Sequence, residues 1–168
     1  MNNVYRALGA IALLMLIPRK VSNDSEELSY LGQDGLPRGI RNNNPGNIRI
    51  TNTKWQGKIP NVQNTDGAFE QFQSYRWGVR AMTKLLINYM NVRGLRTLTE
   101  ILNTYAPKSE NNTNAYIQTV SNETGIHPNT RLTPNFQTMQ KLVISMARVE
   151  NGVPAITPGQ FAQAWDLI

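Results

Sequence analysis

The sequence predicts an α+β domain, mostly α-helical, with a small irregular strand region in front of the helices. Three observations carry that expectation. A chain of 168 residues with 40% hydrophobic and 17% charged side chains is long and apolar enough for one buried core. Between residues 38 and 75 the signals are turns and short alternations. From Val79 onward, apolar residues recur at helical spacing.

The elements follow in order. Residues 7–17 (ALGAIALLMLI) are uncharged and flanked by Arg6 and by Pro18-Arg19-Lys20. As a helix they span about 16 Å, short of the ~30 Å hydrocarbon core. Adding Val4 and Tyr5 and letting the flanking basic residues snorkel makes the span marginal. A secretory h-region has this length too, but Pro-Arg-Lys-Val-Ser lacks a small-x-small cleavage site. Residues 1–20 therefore read as a membrane anchor or uncleaved signal, with membrane association through residues 4–20; a buried N-terminal helix is the alternative. Residues 21–36 hold four of the eleven carboxylates and read as a hydrated linker. The folded domain is expected over residues 37–168.

Within it, Asn42-Asn43-Asn44-Pro45-Gly46-Asn47 is a dense turn cluster before the alternating Ile48-Arg49-Ile50. Val79, Met82, Leu85, Leu86 and Tyr89 form one face of a helix ending near Gly94. Thr97 and Glu100 form a capping box for a second helix, with Leu98, Ile101 and Leu102 inward and Pro107 as its stop. A third helix over residues 112–124 buries Tyr116, Ile117 and Val120 and ends at Gly125. Thr133-Pro134 reads as a cap with proline at N1, opening a fourth helix with Phe136, Met139, Leu142, Val143 and Met146 on one face and Gly152 as its stop. Thr157-Pro158 repeats the device for a final helix carrying Phe161, Ala164, Trp165 and Ile168.

Composition narrows the chemistry. The absence of cysteine excludes disulfides, thiol nucleophiles and thiolate metal sites, and a single histidine excludes a multi-histidine zinc centre. His127, just before Pro128, reads as an exposed loop residue. No cofactor and no metal are expected, so any catalysis rests on carboxylates. The +6 net charge and pI of 9.8 favour polyanionic surroundings. Nucleic acid is not expected, because no helix face is basic and aromatic and basic residues do not interleave.

Three stretches stand apart from generic packing: Arg38-Gly39-Ile40-Arg41-Asn42-Asn43-Asn44-Pro45-Gly46-Asn47-Ile48-Arg49 followed by Trp55-Gln56-Gly57; Phe69-Glu70-Gln71-Phe72 with Gly78-Val79-Arg80-Ala81; and the Ala106-Pro107 to Tyr116-Ile117 segment. In order and spacing they resemble a phage and prophage family that opens with an RGIRNNNPGNIR-type sequence, over roughly residues 38–125. The resemblance implies a lysozyme-like, lytic-transglycosylase-like fold and a virion structural or peptidoglycan-lytic role. The expected function is a phage virion-associated peptidoglycan hydrolase that cleaves the glycan strand as a muramidase or lytic transglycosylase, during penetration or lysis. The alternative is a non-catalytic virion structural or wall-binding protein, and less supported is an endopeptidase, for which the chain offers no metal ligands or nucleophile. Expected partners are bacterial peptidoglycan and other virion proteins, and the expected location is the virion or host membrane, acting in the periplasm or cell wall.

Lysozyme-like folds place a general-acid glutamate at the end of a first long helix, yet no such helix precedes Arg38, and Glu26 and Glu27 fall in the linker. Eleven carboxylates permit an exhaustive search. Glu100 belongs to its capping box, and Glu123, Glu150 and Asp166 fall at helix ends or polar helix faces. Asp66, before Gly67, reads as a turn residue. Glu70, between two phenylalanines, and Glu110, after Pro107 and ahead of a helix cap, remain as catalytic candidates.

Amides give a second line: twenty Asn and ten Gln outnumber the charged side chains and concentrate in the special stretches. Amides both donate and accept, as sugar hydroxyls and N-acetyl groups require, and aromatic rings offer flat faces to sugars. Arg41, Asn43, Asn44, Asn47, Trp55, Tyr105, Asn112 and Tyr116 are accordingly the expected substrate-binding residues, although the asparagines of the 42–47 cluster equally suit turns.

Overall fold

The computed structural model describes residues 27–109 and 112–168. The anchor or signal expected over residues 1–20, and Glu26, lie outside the described residues. Six helices make up the described fold: α1 (Arg38–Arg41), α2 (Tyr75–Asn91), α3 (Leu98–Tyr105), α4 (Thr113–Thr124), α5 (Phe136–Asn151) and α6 (Pro158–Trp165), with a 3₁₀ turn at Asn61–Gln63. None of the described helices is long and apolar enough to cross a membrane.

The local signals explain most boundaries. Thr97 and Glu100 cap α3 reciprocally, and Thr157 and Gln160 do the same for α6, with Pro158 in its first turn. Gly125 closes α4 and Gly152 closes α5, both in the left-handed conformation that costs glycine little. The start of α5 differs from expectation. Asn135, not Thr133, is its cap: the Asn135 carboxamide oxygen accepts from the Thr138 backbone N–H at 2.9 Å, while its Nδ2 donates to the Thr133 hydroxyl at 3.1 Å. The helix α1 was not expected at all.

The small strand region reduces, among the described residues, to two isolated antiparallel bridges, Arg49 to Phe69 and Lys58 to Phe72. Side chains take the place of a ladder. Asn44 Nδ2 donates to the carbonyls of Ile48 and Glu70, each at 2.9 Å, and its Oδ1 accepts from Ile48 N at 3.0 Å. Asn64 Nδ2 holds the Phe69 carbonyl at 2.9 Å, and Asp66 Oδ1 accepts from Phe69 N at the same distance. With backbone groups satisfied this way, the chain closes without a regular sheet.

The core runs between the helices. Val79, Met82, Leu86 and Met90 of α2 are fully buried, as are Leu98, Ile101 and Leu102 of α3, Met139, Leu142, Val143 and Met146 of α5, and Phe161 of α6. α2 packs on α6, and α4 lies between α3 and α5. Phe72, also fully buried, joins the loop region to this core. Side chains of this size contribute roughly 1.5–3 kcal/mol each on burial, so the helices are held by packing more than by propensity.

The asparagine turn is fastened to both ends of the helical body. Asn43 and Asn47 adopt left-handed φ values of 51° and 46°, which asparagine tolerates better than most residues. α2 lies so close that a Cβ on Gly78 would stand 1.7 Å from the Asn43 carbonyl oxygen, so this contact requires glycine. At the other end, Asn151 Nδ2 donates to the Pro45 carbonyl at 2.8 Å and Asn47 Nδ2 to the Glu150 carbonyl at 3.0 Å. The turn is thereby fixed against the last turn of α5.

Part of the expected linker also belongs to the fold. Tyr75 N donates to the Leu28 carbonyl at 2.8 Å, Tyr30 N donates to Asn43 Oδ1 at 2.7 Å, and the rings of Tyr30 and Tyr75 meet edge-on at 4.9 Å.

Candidate functional site

A cleft of about 700 Å³ opens where the asparagine turn, the loop region and the ends of α3 and α5 meet. Arg49, Thr51, Trp55 and Phe69 line it from the loop side, and Tyr89 and Tyr105 supply aromatic surface from α2 and α3. At its base, Glu150 from the last turn of α5 is the one carboxylate among the described residues that line it.

Glu150 is held on both oxygens. The Tyr116 hydroxyl, on α4, donates to Oε1 at 2.9 Å, and Asn47 Nδ2 donates to Oε2 at 3.2 Å. Both bonds favour the carboxylate, but burial outweighs them and raises the Glu150 pKa above the ordinary range. The Tyr116 hydroxyl also lies 3.2 Å from the Met146 carbonyl oxygen, a second acceptor for its proton. Its phenol can therefore donate to ionised Glu150, or turn to Met146 and accept from protonated Glu150. Burial and the neighbouring Glu150 charge push the pKa of Tyr105 and Tyr116 well up, so both stay neutral donors. Tyr105 donates to the Gly46 carbonyl, tying the end of α3 to the asparagine turn.

A half-buried, doubly hydrogen-bonded carboxyl whose pKa desolvation raises can deliver a proton to a bound ligand and later take one back. Among the described residues no three histidine, aspartate or glutamate side chains are grouped as metal ligands.

No family model matches the sequence. Protein P5 of Pseudoalteromonas phage PM2 is 36% identical to it over 118 residues, which cover 68% of this chain and 71% of that protein. The chain belongs to the family of phage PM2 Protein P5. Its association with bacteriophages rests on that relationship.

In this P5-family chain the expected site residues divide. Asn47, Trp55 and Tyr105 line the cleft, and Tyr116 lies directly behind it as the partner of Glu150. Asn43 and Asn44 do not reach a ligand: both are 0% exposed. Asn43 donates to the Ser29 hydroxyl at 2.7 Å and to the Phe72 carbonyl at 2.9 Å, while Asn44 serves as the surrogate ladder. Arg41 is exposed on α1, outside the cleft, and Asn112 caps α4 by accepting from Ala115 N at 3.2 Å.

Of the two catalytic candidates, Glu110 lies outside the described residues. Glu70 is 0% exposed and does not line the cleft. Its Oε1 accepts from Lys58 Nζ at 2.8 Å and from Thr51 N at 3.0 Å, which makes it an internal brace for the cleft wall. Asp66 is the turn residue its sequence context indicates. It is also paired with Arg38 at 2.7 Å through both carboxylate oxygens, and that guanidinium holds its pKa well below the usual carboxylate range.

Glu150 was missed because it reads as a helix-end charge. The signal was present nonetheless. Val143, Met146 and Glu150 stand at i, i+3 and i+7 on the stripe that α5 buries, so a carboxylate occupies the next core position of an apolar face.

Proposed function

We propose that this P5-family chain is a phage glycan-strand-cleaving enzyme of lysozyme-like, lytic-transglycosylase-like kind, with Glu150 as its general acid. The observation that carries the reading is a half-buried, doubly hydrogen-bonded carboxyl, its pKa raised by desolvation, in a cleft walled by aromatic rings. Trp55, Tyr89 and Tyr105 suit the flat faces of N-acetyl sugars, and Asn47 and Thr51 offer polar groups for hydroxyls and acetamides. The positive net charge suits an anionic wall.

In this reading Glu150 gives its proton to the glycosidic oxygen as the C1–O bond breaks, and the charge developing on the sugar is captured by an oxygen nucleophile. Capture by the C6 hydroxyl of the same sugar, whose proton passes to the Glu150 carboxylate, closes a 1,6-anhydro ring and regenerates the acid. Capture by water, with the same proton return, leaves a reducing end. Neither route asks for a second carboxylate from the protein; the first, whose nucleophile belongs to the bound sugar and needs no positioned water, is the one favoured here. Tyr116, able to donate or accept at Glu150, accommodates both protonation states within one geometry.

The test is digestion of purified peptidoglycan by the full chain, with soluble products identified by mass. Release of 1,6-anhydro muropeptides, reduced at least about 100-fold by Glu150→Gln, is the expected result. Undiminished release by Glu150→Gln overturns the assignment of the acid. Binding to the wall without any product overturns the catalytic reading in favour of a wall-binding protein.

A further inference from the structure

We propose a second ligand site, a cationic groove at the opposite ends of α3 and α5, that binds a carboxylate-bearing glycopeptide strand. The groove measures about 690 Å³, as large as the cleft, and is formed by the turn after α4 and the first two turns of α5. It is separate from the cleft. From Lys141 to Glu150 α5 advances nine residues, about 13 Å at ~1.5 Å each. The groove also adjoins the start of α3, whereas the cleft adjoins its end.

Arg131, Lys141 and His127 line the groove, and no carboxylate does among the described residues. The nearest acids are occupied. Glu100 accepts from Arg96 N and Thr97 N at the start of α3, at 2.8 and 3.0 Å, and the Arg131 charge also favours its carboxylate. Glu123 pairs with Arg148 at 2.5 Å and accepts from Ser145 at 2.8 Å. Thr130, Thr133 and Gln137 add hydroxyl and amide groups over an apolar floor at Leu132.

The walls are preformed. Thr99 N holds the Pro128 carbonyl at 3.1 Å, Leu132 N holds the Arg96 carbonyl at 2.7 Å, and Thr130 N closes a turn on the His127 carbonyl at 3.0 Å. Thr99 Oγ1 adds a bond to Asn129 Oδ1 at 2.9 Å. Binding there spends little free energy on ordering the loop.

The chemistry favours a glycopeptide over nucleic acid. No aromatic side chain lines the groove for base stacking, and two permanent cations fall short of the several phosphate contacts that duplex binding employs. Sparse carboxylates spaced along a hydroxyl-rich polymer match the lining better. The ligand class rests on the wall-polymer reading above; the site itself is independent of Glu150.

The test uses the full chain carrying Glu150→Gln, so that the polymer survives, co-sedimented with purified peptidoglycan sacculi at low salt. Adding Arg131→Gln and Lys141→Gln together is expected to weaken retention about tenfold. Thr130→Glu, which places a carboxylate in the groove without removing a contact of the fold core, is expected to weaken it likewise. Cleavage of short peptide-free glycan by the Glu150 parent carrying either set of changes is expected to stay unaltered, which separates failure of the groove from failure of the cleft. Retention unchanged by both sets, or lost for duplex DNA but not for sacculi, overturns the proposal.

Discussion

Asn44→Ala tests whether side-chain amides replace a β-ladder behind the cleft. Asn44 makes three bonds, but they are not equal losses. The Ile48 carbonyl keeps a second donor, Glu70 N at 2.8 Å, so it stays satisfied. The Glu70 carbonyl and the Ile48 N–H lose the partners that Asn44 supplies at 2.9 and 3.0 Å, in a site with no solvent access. Each orphaned buried group costs about 1–3 kcal/mol, so the substitution is expected to destabilise by about 2–6 kcal/mol. That is a large share of the 5–15 kcal/mol typical of a domain, and corresponds to roughly 2–4 °C in Tm per kcal/mol at this chain length. The assay is urea unfolding followed by far-UV circular dichroism, comparing midpoints at constant slope. Asn44→Asp serves as the shape-matched control: its oxygens still accept from Ile48 N but cannot donate to Glu70 O, so it is expected to remain destabilised. A loss below about 1 kcal/mol for Asn44→Ala would refute the ladder argument, because a single exposed hydrogen bond is worth that much.

Three further outcomes follow from the same geometry. Glu150→Gln is expected to stabilise the fold at neutral pH: with the folded pKa raised, the unfolded chain ionises first, near pH 4.3, so native stability falls as pH rises from there and the variant escapes that fall. Unfolding measured at pH 3.5 and pH 7.5 checks the sign, since the advantage must vanish at the lower pH. Tyr116→Phe removes a bond that favours ionised Glu150, so the alkaline limb of the pH–rate profile should move to higher pH, whereas a purely structural loss would lower the rate without moving the limb. Gly78→Ala places a Cβ 1.7 Å from the Asn43 carbonyl oxygen and should destabilise by about 3 kcal/mol or more, read as a lowered urea midpoint; a change under 1 kcal/mol would mean that α2 and the asparagine turn separate freely.

The sequence by itself determined the five longer helices, α2 to α6, because their signals are local, though it determined neither α1 nor the cap of α5. The capping box at Thr97, the cap and N1 proline at Thr157-Pro158, the stops at Gly125 and Gly152 and the 3.6-residue apolar stripes each depend on residues within a few positions of one another. It also singled out Asn47, Trp55 and Tyr105, which line the cleft, because amides and aromatic rings concentrate in those stretches. Tertiary structure decided the rest. Asn43, Asn44 and Asn47 carry the same side chain within five positions, yet Asn43 bonds the Ser29 hydroxyl and the Phe72 carbonyl, Asn44 bonds the Glu70 carbonyl, and Asn47 reaches Glu150, 103 residues away. The carboxylates divide in the same way. Whether a glutamate is a solvated helix end or a half-buried carboxyl with a raised pKa depends on which aromatic rings and amides close over it, and for Glu150 these come from α3, α4 and the asparagine turn. Local sequence fixes hydrogen bonds a few residues apart; desolvation is a sum over every element that excludes water, and that sum exists only after the chain has folded.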